Sequence, residues 1–153
     1  MSRIEQRLIE LGFPLPEVAK PVAAYVPAVV SGNLCFTSGQ LPFVNGAMSA
    51  TGKVGRDLTP EVAKDLARLC ALNALAALKL AIGDLDRVTR IVKVVGFVSV
   101  VPEFTAIPGV INGASEFLGE VFGEAGVHAR SAVGVPALPL DSAVEVELIA
   151  EFA

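Results

Sequence analysis

Charge is what this sequence has least of. Aspartate, glutamate, lysine and arginine make up only 18% of its 153 residues, against about 25% in an ordinary soluble chain. Hydrophobic types reach 53%, and the mean hydropathy is +0.62. Such a chain either enters a membrane or hides extra surface in an oligomer. It lacks what a membrane requires. The longest uncharged run, residues 21–52, is cut by Pro27, Gly32, Asn33, Gly39, Pro42, Asn45 and Gly46, so it never supplies the ~20 continuous apolar residues of a spanning helix. An oligomer with no membrane partner is the expectation. The opening residues also lack a basic stretch followed by an apolar core and a small-residue cleavage site, which makes the cytoplasm the default location.

Cysteine is equally scarce. Cys35 and Cys70 stand in no metal-binding or redox spacing and read as buried thiols. Twelve lysines and arginines face sixteen acids, for a net charge of −4, and the basic residues are scattered. That counts against nucleic acid as the main partner, because phosphate neutralisation supplies most of such binding. Internal repeats and low-complexity segments are absent. The length suits one domain, expected to span residues 1–153, with 1–15 as a helical extension and 22–153 as the core.

What is present is a clear order of elements. Ser2 and Glu5 form a possible capping box for a short amphipathic helix carrying Ile4, Leu8 and Leu11, ended by Gly12. Residues 22–30, which include the only tyrosine, Tyr25, suit an edge strand, and residues 34–38 a second one. Gly39 leaves that strand, where a glycine lets backbone donors approach a ligand closely. Asn45-Gly46 signals a turn into a short third strand. Thr59, Pro60 and Glu61 stack three helix-start signals, and Gly83 closes the long helix they begin. Residues 88–101 are apolar on both parities, as a central strand is. Residues 102–108 read as a loop and 110–122 as a second helix, with Asn112 in its first turn, placed to cap or meet solvent or, alternatively, to reach a ligand.

Residues 128–147 read as a strand, a turn and a second strand, taken together as a hairpin. Alternation puts Arg130, Ala132 and Gly134 on one face, leaving space beside the arginine. Val144, Val146, Leu148 and Ala150 alternate with Glu145, Glu147 and Glu151. A guanidinium grips a planar carboxylate at two points, and a nearby glutamate can polarise water or move a proton. The plainer reading is a structural ion pair, Arg130 satisfying carboxylates at a subunit interface. His128 is read as structural or solvated, with proton transfer as the alternative role of its imidazole. Two helices cover one face of such a sheet; the other, carrying Glu145 and with it Arg130, would be buried between subunits.

Tyr25, the run Thr37-Ser38-Gly39-Gln40-Leu41-Pro42, Asn112, Ala129-Arg130-Ser131, and Leu138-Pro139 followed by Val144-Glu145-Val146-Glu147 resemble the reactive-intermediate imine deaminase family, also called YjgF-type or RidA-like proteins. The resemblance implies a chorismate-mutase-like α+β fold, a mixed sheet with two helices packed on one face, assembled as a homotrimer with sites between subunits. It implies hydrolysis of small 2-imino acids to 2-keto acids and ammonia, with no metal or organic cofactor. In those terms Arg130 anchors the substrate carboxylate, Glu145 activates water, and Tyr25, Ser38, Gly39 and Asn112 line the pocket. Ala132 replaces a cysteine common in the family. The N-terminal helix and extra residues at 105–109 mark a longer branch. A non-catalytic trimer that binds small carboxylates through Arg130 is the alternative, and RNA-directed action a weaker third.

Overall fold

The computed structural model describes residues 1–20 and 23–153. Its elements run α1 (Arg3–Glu10), β1 (Ala28–Ser31), β2 (Leu34–Thr37), β3 (Phe43–Val44), β4 (Ala47–Met48), α2 (Pro60–Ile82), β5 (Val88–Ser99), α3 (Ile107–Phe122), β6 (Ala129–Val135) and β7 (Val144–Phe152). Five strands form one mixed sheet in the order β1-β2-β7-β5-β6, and β3 and β4 make a separate hairpin. The expected α+β arrangement, with α2 and α3 on one face of the sheet, is what forms.

Local chemistry fixes the helix ends. Ser2 Oγ accepts from the Glu5 N–H at 3.1 Å while the Glu5 carboxylate accepts from the Ser2 N–H at 3.2 Å, so the capping box is complete. Thr59 Oγ1 caps Val62 N, and Gly83 takes φ 88° at the far end of α2. At Asn45-Gly46 both residues have positive φ, 51° and 80°, the geometry that turns β3 into β4. Two expectations shift. Tyr25 lies before β1 rather than in a strand, and Val22, the start of the expected strand, is outside the described residues. α3 begins at Ile107 because Pro108 sits in its first turn, where a missing N–H costs nothing. Asn112 is therefore in the second turn, beyond capping range.

The larger correction concerns residues 128–147, which are not a hairpin. β6 pairs in parallel with β5, and β7 pairs antiparallel with the other edge of β5. Parallel neighbours need a crossover, and α3 provides it between β5 and β6. Residues 136–143 then span the end of β5, a gap of two strand spacings, roughly 10 Å, well within reach of eight residues. β5 accommodates both neighbours with two register shifts against β7, between Val88 and Arg90 and between Ile91 and Lys93. The second shift lets Ile91 and Val94, of opposite parity, both face the core.

The core lies between sheet and helices. Val144, Val146, Leu148 and Ala150 of β7 and Ile91, Val94 and Val98 of β5 are buried there. α2 is buried continuously from Cys70 to Leu78, which its alanines permit by allowing close approach. Gly113 of α3 meets α2 so closely that a Cβ would strike the Lys64 carbonyl. α1 is more than an appendage. Ile4 and Leu8 join the core, Asp86 accepts from the Arg3 and Ile4 N–H groups at 2.9 Å each, and Lys79 donates to Glu5 at 2.5 Å.

Among the described residues nothing covers the opposite face. Val29 pairs with Phe36, Phe36 with Ile149 and Ile149 with Lys93, forming a largely apolar row, and Val29, Phe36 and Val133 are 54%, 39% and 44% exposed. Gly113→Ala should destabilise the protein by about 1–3 kcal/mol, because Lys64 backbone must move to admit the methyl group. Urea denaturation would measure this, and a loss below about 0.5 kcal/mol would mean that α2 and α3 can separate at little cost.

Candidate functional site

Arg130 occupies the second position of β6, the edge strand, and points toward α3. Its Nη1 donates to Asn112 Oδ1 at 2.8 Å and to Ser115 Oγ at 3.2 Å, and Nη2 donates to the Pro108 carbonyl at 3.5 Å. All three acceptors are neutral. Among the described residues no carboxylate pairs with Arg130. Nη1 has spent both hydrogens. What remains is Nε–H and a second Nη2–H, donors in the fixed fork that matches a carboxylate. Behind the arginine, His128 Nδ1 lies 2.6 Å from the Gly126 carbonyl and Nε2 lies 2.8 Å from Ser115 Oγ.

Glu145 belongs to a different surface. It alternates with the buried Val144 and Val146, so it faces away from the helices. Gly39 lies directly against it: a Cβ at position 39 would fall on Glu145 Oε1 and 2.8 Å from Cδ. The absence of a side chain at Gly39 is thus a condition for the position of this carboxylate. Burial pushes the Glu145 carboxyl above its ordinary pKa, and the charge of Glu147 adds to the shift. The buried Cys70 thiol beneath is raised well above its own value, by burial and then by Glu145; both cysteines are free and buried.

The other candidates cluster with Glu145. Ser38 Oγ donates to the Val26 carbonyl at 2.6 Å, and Ser38 N–H donates to the Pro27 carbonyl at 2.8 Å. The serine therefore anchors the segment that carries Tyr25. Tyr25 and Gly39 share a small cavity of about 30 Å³ with Pro27 and Gln40. Gln40 exchanges backbone hydrogen bonds with Val146 at 2.8 and 3.0 Å. Asn73 of α2 is a buried polar pin: its Nδ2 donates to the Leu41 and Phe43 carbonyls at 2.9 and 3.1 Å.

The candidate residues thus divide into two groups, one of Tyr25, Ser38, Gly39 and Glu145 and one of Asn112 and Arg130. Arg130 lines up with Val94 and Leu148, and Glu145 with Phe97 and Val133. They lie on opposite faces of the sheet with β5 between their strands. The expectation that both project from the uncovered face holds for Glu145 alone; contacts to α3 turn Arg130 the other way. Two larger cavities, about 570 Å³ near Pro16–Lys20 and about 580 Å³ at the ends of β5 and β6, include neither residue. Among the described residues no three His, Cys, Asp or Glu side chains gather as metal ligands would, and no helix is long and apolar enough to cross a membrane. Sequence reasoning passes over Ser115. Its three-residue spacing from Asn112 on one helix face is the signal that points to it.

Residues 5–152 match the family described as "YjgF/chorismate_mutase-like, putative endoribonuclease". The chain belongs to the YjgF/chorismate-mutase-like family. Within it, the chain is 45% identical to Protein TCP17 of Trypanosoma cruzi over 151 residues, 98% of this chain and 94% of that protein. It is 34% identical over 129 residues to the 2-iminobutanoate/2-iminopropanoate deaminase of Escherichia coli, 84% of this chain and 88% of that enzyme. The crystal structure of Atu1372, a protein of unknown function from Agrobacterium tumefaciens, superposes with a TM-score of 0.92 at 49% identity, covering 98% of this chain and 92% of that one. The YjgF-type fold therefore extends over the N-terminal helix as well.

The Glu145 environment gives a pH prediction. Because the folded-state pKa lies above the unfolded one, ionisation of Glu145 opposes folding. The carboxyl's favourable contribution is complete below the unfolded value of about 4.3 and is lost as pH rises through the folded value. Glu145→Gln escapes that loss, so the variant should gain stability over the wild type as pH rises. Urea denaturation between about pH 4 and 8 would measure the difference, and one that stays flat with pH would place the carboxylate in water.

Proposed function

We propose that the protein hydrolyses small 2-imino acids to 2-keto acids and ammonia in clefts between identical subunits of a homotrimer. The observation that carries this reading is the placement of Arg130. Its charge meets only neutral oxygens, its unused donors suit a carboxylate, and it stands on the edge strand. A neighbouring copy that packs its uncovered face against this edge brings its own Gly39, Tyr25 and Glu145 to the arginine. The apolar row through Phe36 and Ile149 supplies the surface for that contact.

The chemistry asks little more of the protein. An imine carbon is already electrophilic, so orientation and proton handling suffice. Arg130 holds the carboxylate and fixes the adjacent carbon. Glu145, pushed above its ordinary pKa by burial, takes a proton from attacking water more readily near neutral pH than an ordinary carboxylate would. Tyr25 closes the pocket beside Gly39, and Asn112 orients the guanidinium. No cofactor enters this scheme. The similarity to the Escherichia coli enzyme adds weight to the choice of substrate.

Ammonia release from 2-iminopropionate, generated in place by an amino-acid oxidase, should be faster with the protein than without it. Arg130→Ala should abolish the acceleration, and Glu145→Gln should lower it by about 10²-fold. Calorimetric binding of 2-keto acids without any turnover would instead identify a carboxylate-binding protein. Sedimentation equilibrium should give three times the 15.8 kDa chain mass, and a monomer at micromolar concentration would overturn the inter-subunit site.

A further inference from the structure

We infer that the cavity at the ends of β5 and β6 receives the side chain of the substrate, an assignment that rests on the deaminase reading above. The preferred substrates are then 2-imino acids with a large apolar side chain, aromatic or branched, ahead of 2-iminopropionate. The direction of the Arg130 side chain carries the argument. Its backbone stands at the second position of β6, yet its guanidinium runs toward the start of α3: Nη1 bonds Ser115 and Asn112, and Nη2 reaches the Pro108 carbonyl. Nη1 is the fixed back of the group. Nη2, whose second hydrogen belongs to the free fork, lies at the Pro108 end.

The cavity begins at that same end. Ile107, next to Pro108, is one of its walls, together with Val100, Phe104, Gly134 and Val135. Gly134 shares the face of β6 that carries Arg130, and only Ala132 stands between them on it. A Cβ at Gly134 would come within 2.8 Å of both Ile107 Cδ1 and Val100 Cγ2, so the bare backbone there completes the wall. In a 2-imino acid the side chain is bonded to the carbon next to the carboxylate. A side chain that leaves the fork along this face passes the Ala132 methyl group and enters the cavity. Two residues of strand cover about 7 Å, a length that a benzyl group spans and a methyl group does not.

The lining selects apolar matter. Lys53 and Arg56 also border the space of about 580 Å³, but their charged ends are engaged. Lys53 Nζ donates to the Pro136 carbonyl and, at 3.3 Å, to Ser99 Oγ, while Arg56 Nη2 holds Asp57 at 2.9 Å. A side chain ending in a carboxylate would have to displace those contacts. The walls are also fixed in advance. Val54 N–H donates to the Ser99 carbonyl at 2.9 Å, Val101 N–H to the Val54 carbonyl at 3.2 Å, and Phe104 N–H to the Val101 carbonyl at 3.0 Å. Gly55, at φ 94°, lies so close that a Cβ would stand 2.7 Å from Val101 Cγ2 and 3.3 Å from Phe104 Cβ. A pocket already ordered needs no rearrangement when an apolar group arrives.

The test supplies the full chain with the imines of alanine, leucine, phenylalanine and glutamate, each generated in place by an amino-acid oxidase. The kcat/KM for the leucine and phenylalanine imines should exceed that for 2-iminopropionate by about tenfold or more, the effect of adding even one methylene in an apolar pocket. Thr105→Trp, at an exposed loop residue that lines the cavity, and Ile107→Trp each fill the space. Both should lower the ratio of the phenylalanine to the alanine value by about tenfold. Partial misfolding scales both values alike, so a ratio unchanged in both variants would overturn the assignment. A wild type that favours 2-iminopropionate or the glutamate imine would overturn it too, with the deaminase reading intact. Ammonia release from none of the four removes that reading. Calorimetry with phenylpyruvate and pyruvate then decides the cavity by itself: tighter binding of phenylpyruvate supports it, and equal affinities overturn it.

Discussion

The positive charge of Arg130 meets no negative group among the described residues of its own protomer, and much of the structure depends on that. A guanidinium held by an amide oxygen, a hydroxyl and a carbonyl is oriented without being neutralised. Such a group is costly to bury unless an anion completes it. The protein keeps it on an edge strand, partly exposed, with its back fixed by α3. Helix α3 has to lie close for this purpose, and its small residues allow it. Gly113 admits the Lys64 backbone, and Ile111 sits over Gly96, where a Cβ would come within 2.5 Å of Ile111 Cδ1. Packing of the helix layer and aim of the arginine are thus one constraint.

The carboxylate side is built by a different device. Glu145 gains its environment from a missing side chain at Gly39. That glycine is held by the residues after it: Gln40 bonded to Val146 through the backbone, and Leu41 and Phe43 pinned by the buried Asn73. A buried amide costs free energy unless its donors are used, and Asn73 spends both on fixing this one segment. The long central helix therefore positions the strand exit as well as filling the core. Ser38 extends the same logic to Tyr25, since its hydroxyl serves the chain leading into β1.

The fold is legible in the sequence wherever local chemistry decides structure. The capping box at Ser2 and Glu5, the Thr59-Pro60 helix start, the Asn45-Gly46 turn and the alternation of β7 all form as their residue types dictate. The pairing of residues 128–147 is not legible, because alternation reports which residues share a face and carries nothing about which strand lies next door. Two strands joined by a short connection are neighbours in most sheets, but here β5 offers one edge to each. Asn112 is displaced from its expected turn for a local reason: Pro108 can open a helix as readily as precede one. Asn73 cannot be read as a pin, since a polar residue on a helix declares its partner only when the fold brings one.

Opposite placement of Arg130 and Glu145 also bears on the scarcity of charge in this chain. A single protomer leaves Val29, Phe36 and Val133 exposed and leaves a cation and a half-buried carboxylate each without an opposite charge. In the proposed assembly, packing the uncovered face of one copy against the edge strand of another would answer both deficits with the same contact. The apolar row would lose water, which favours association in proportion to the area removed, and the two charges would face across a cleft instead of being locked in an intramolecular pair. Had they faced each other within one chain, they would have neutralised one another and left no donor for a substrate carboxylate. On the proposed reading, division of the site between subunits would keep the arginine free until a ligand arrives, and the low charge content and the chemistry would share an origin in the assembly.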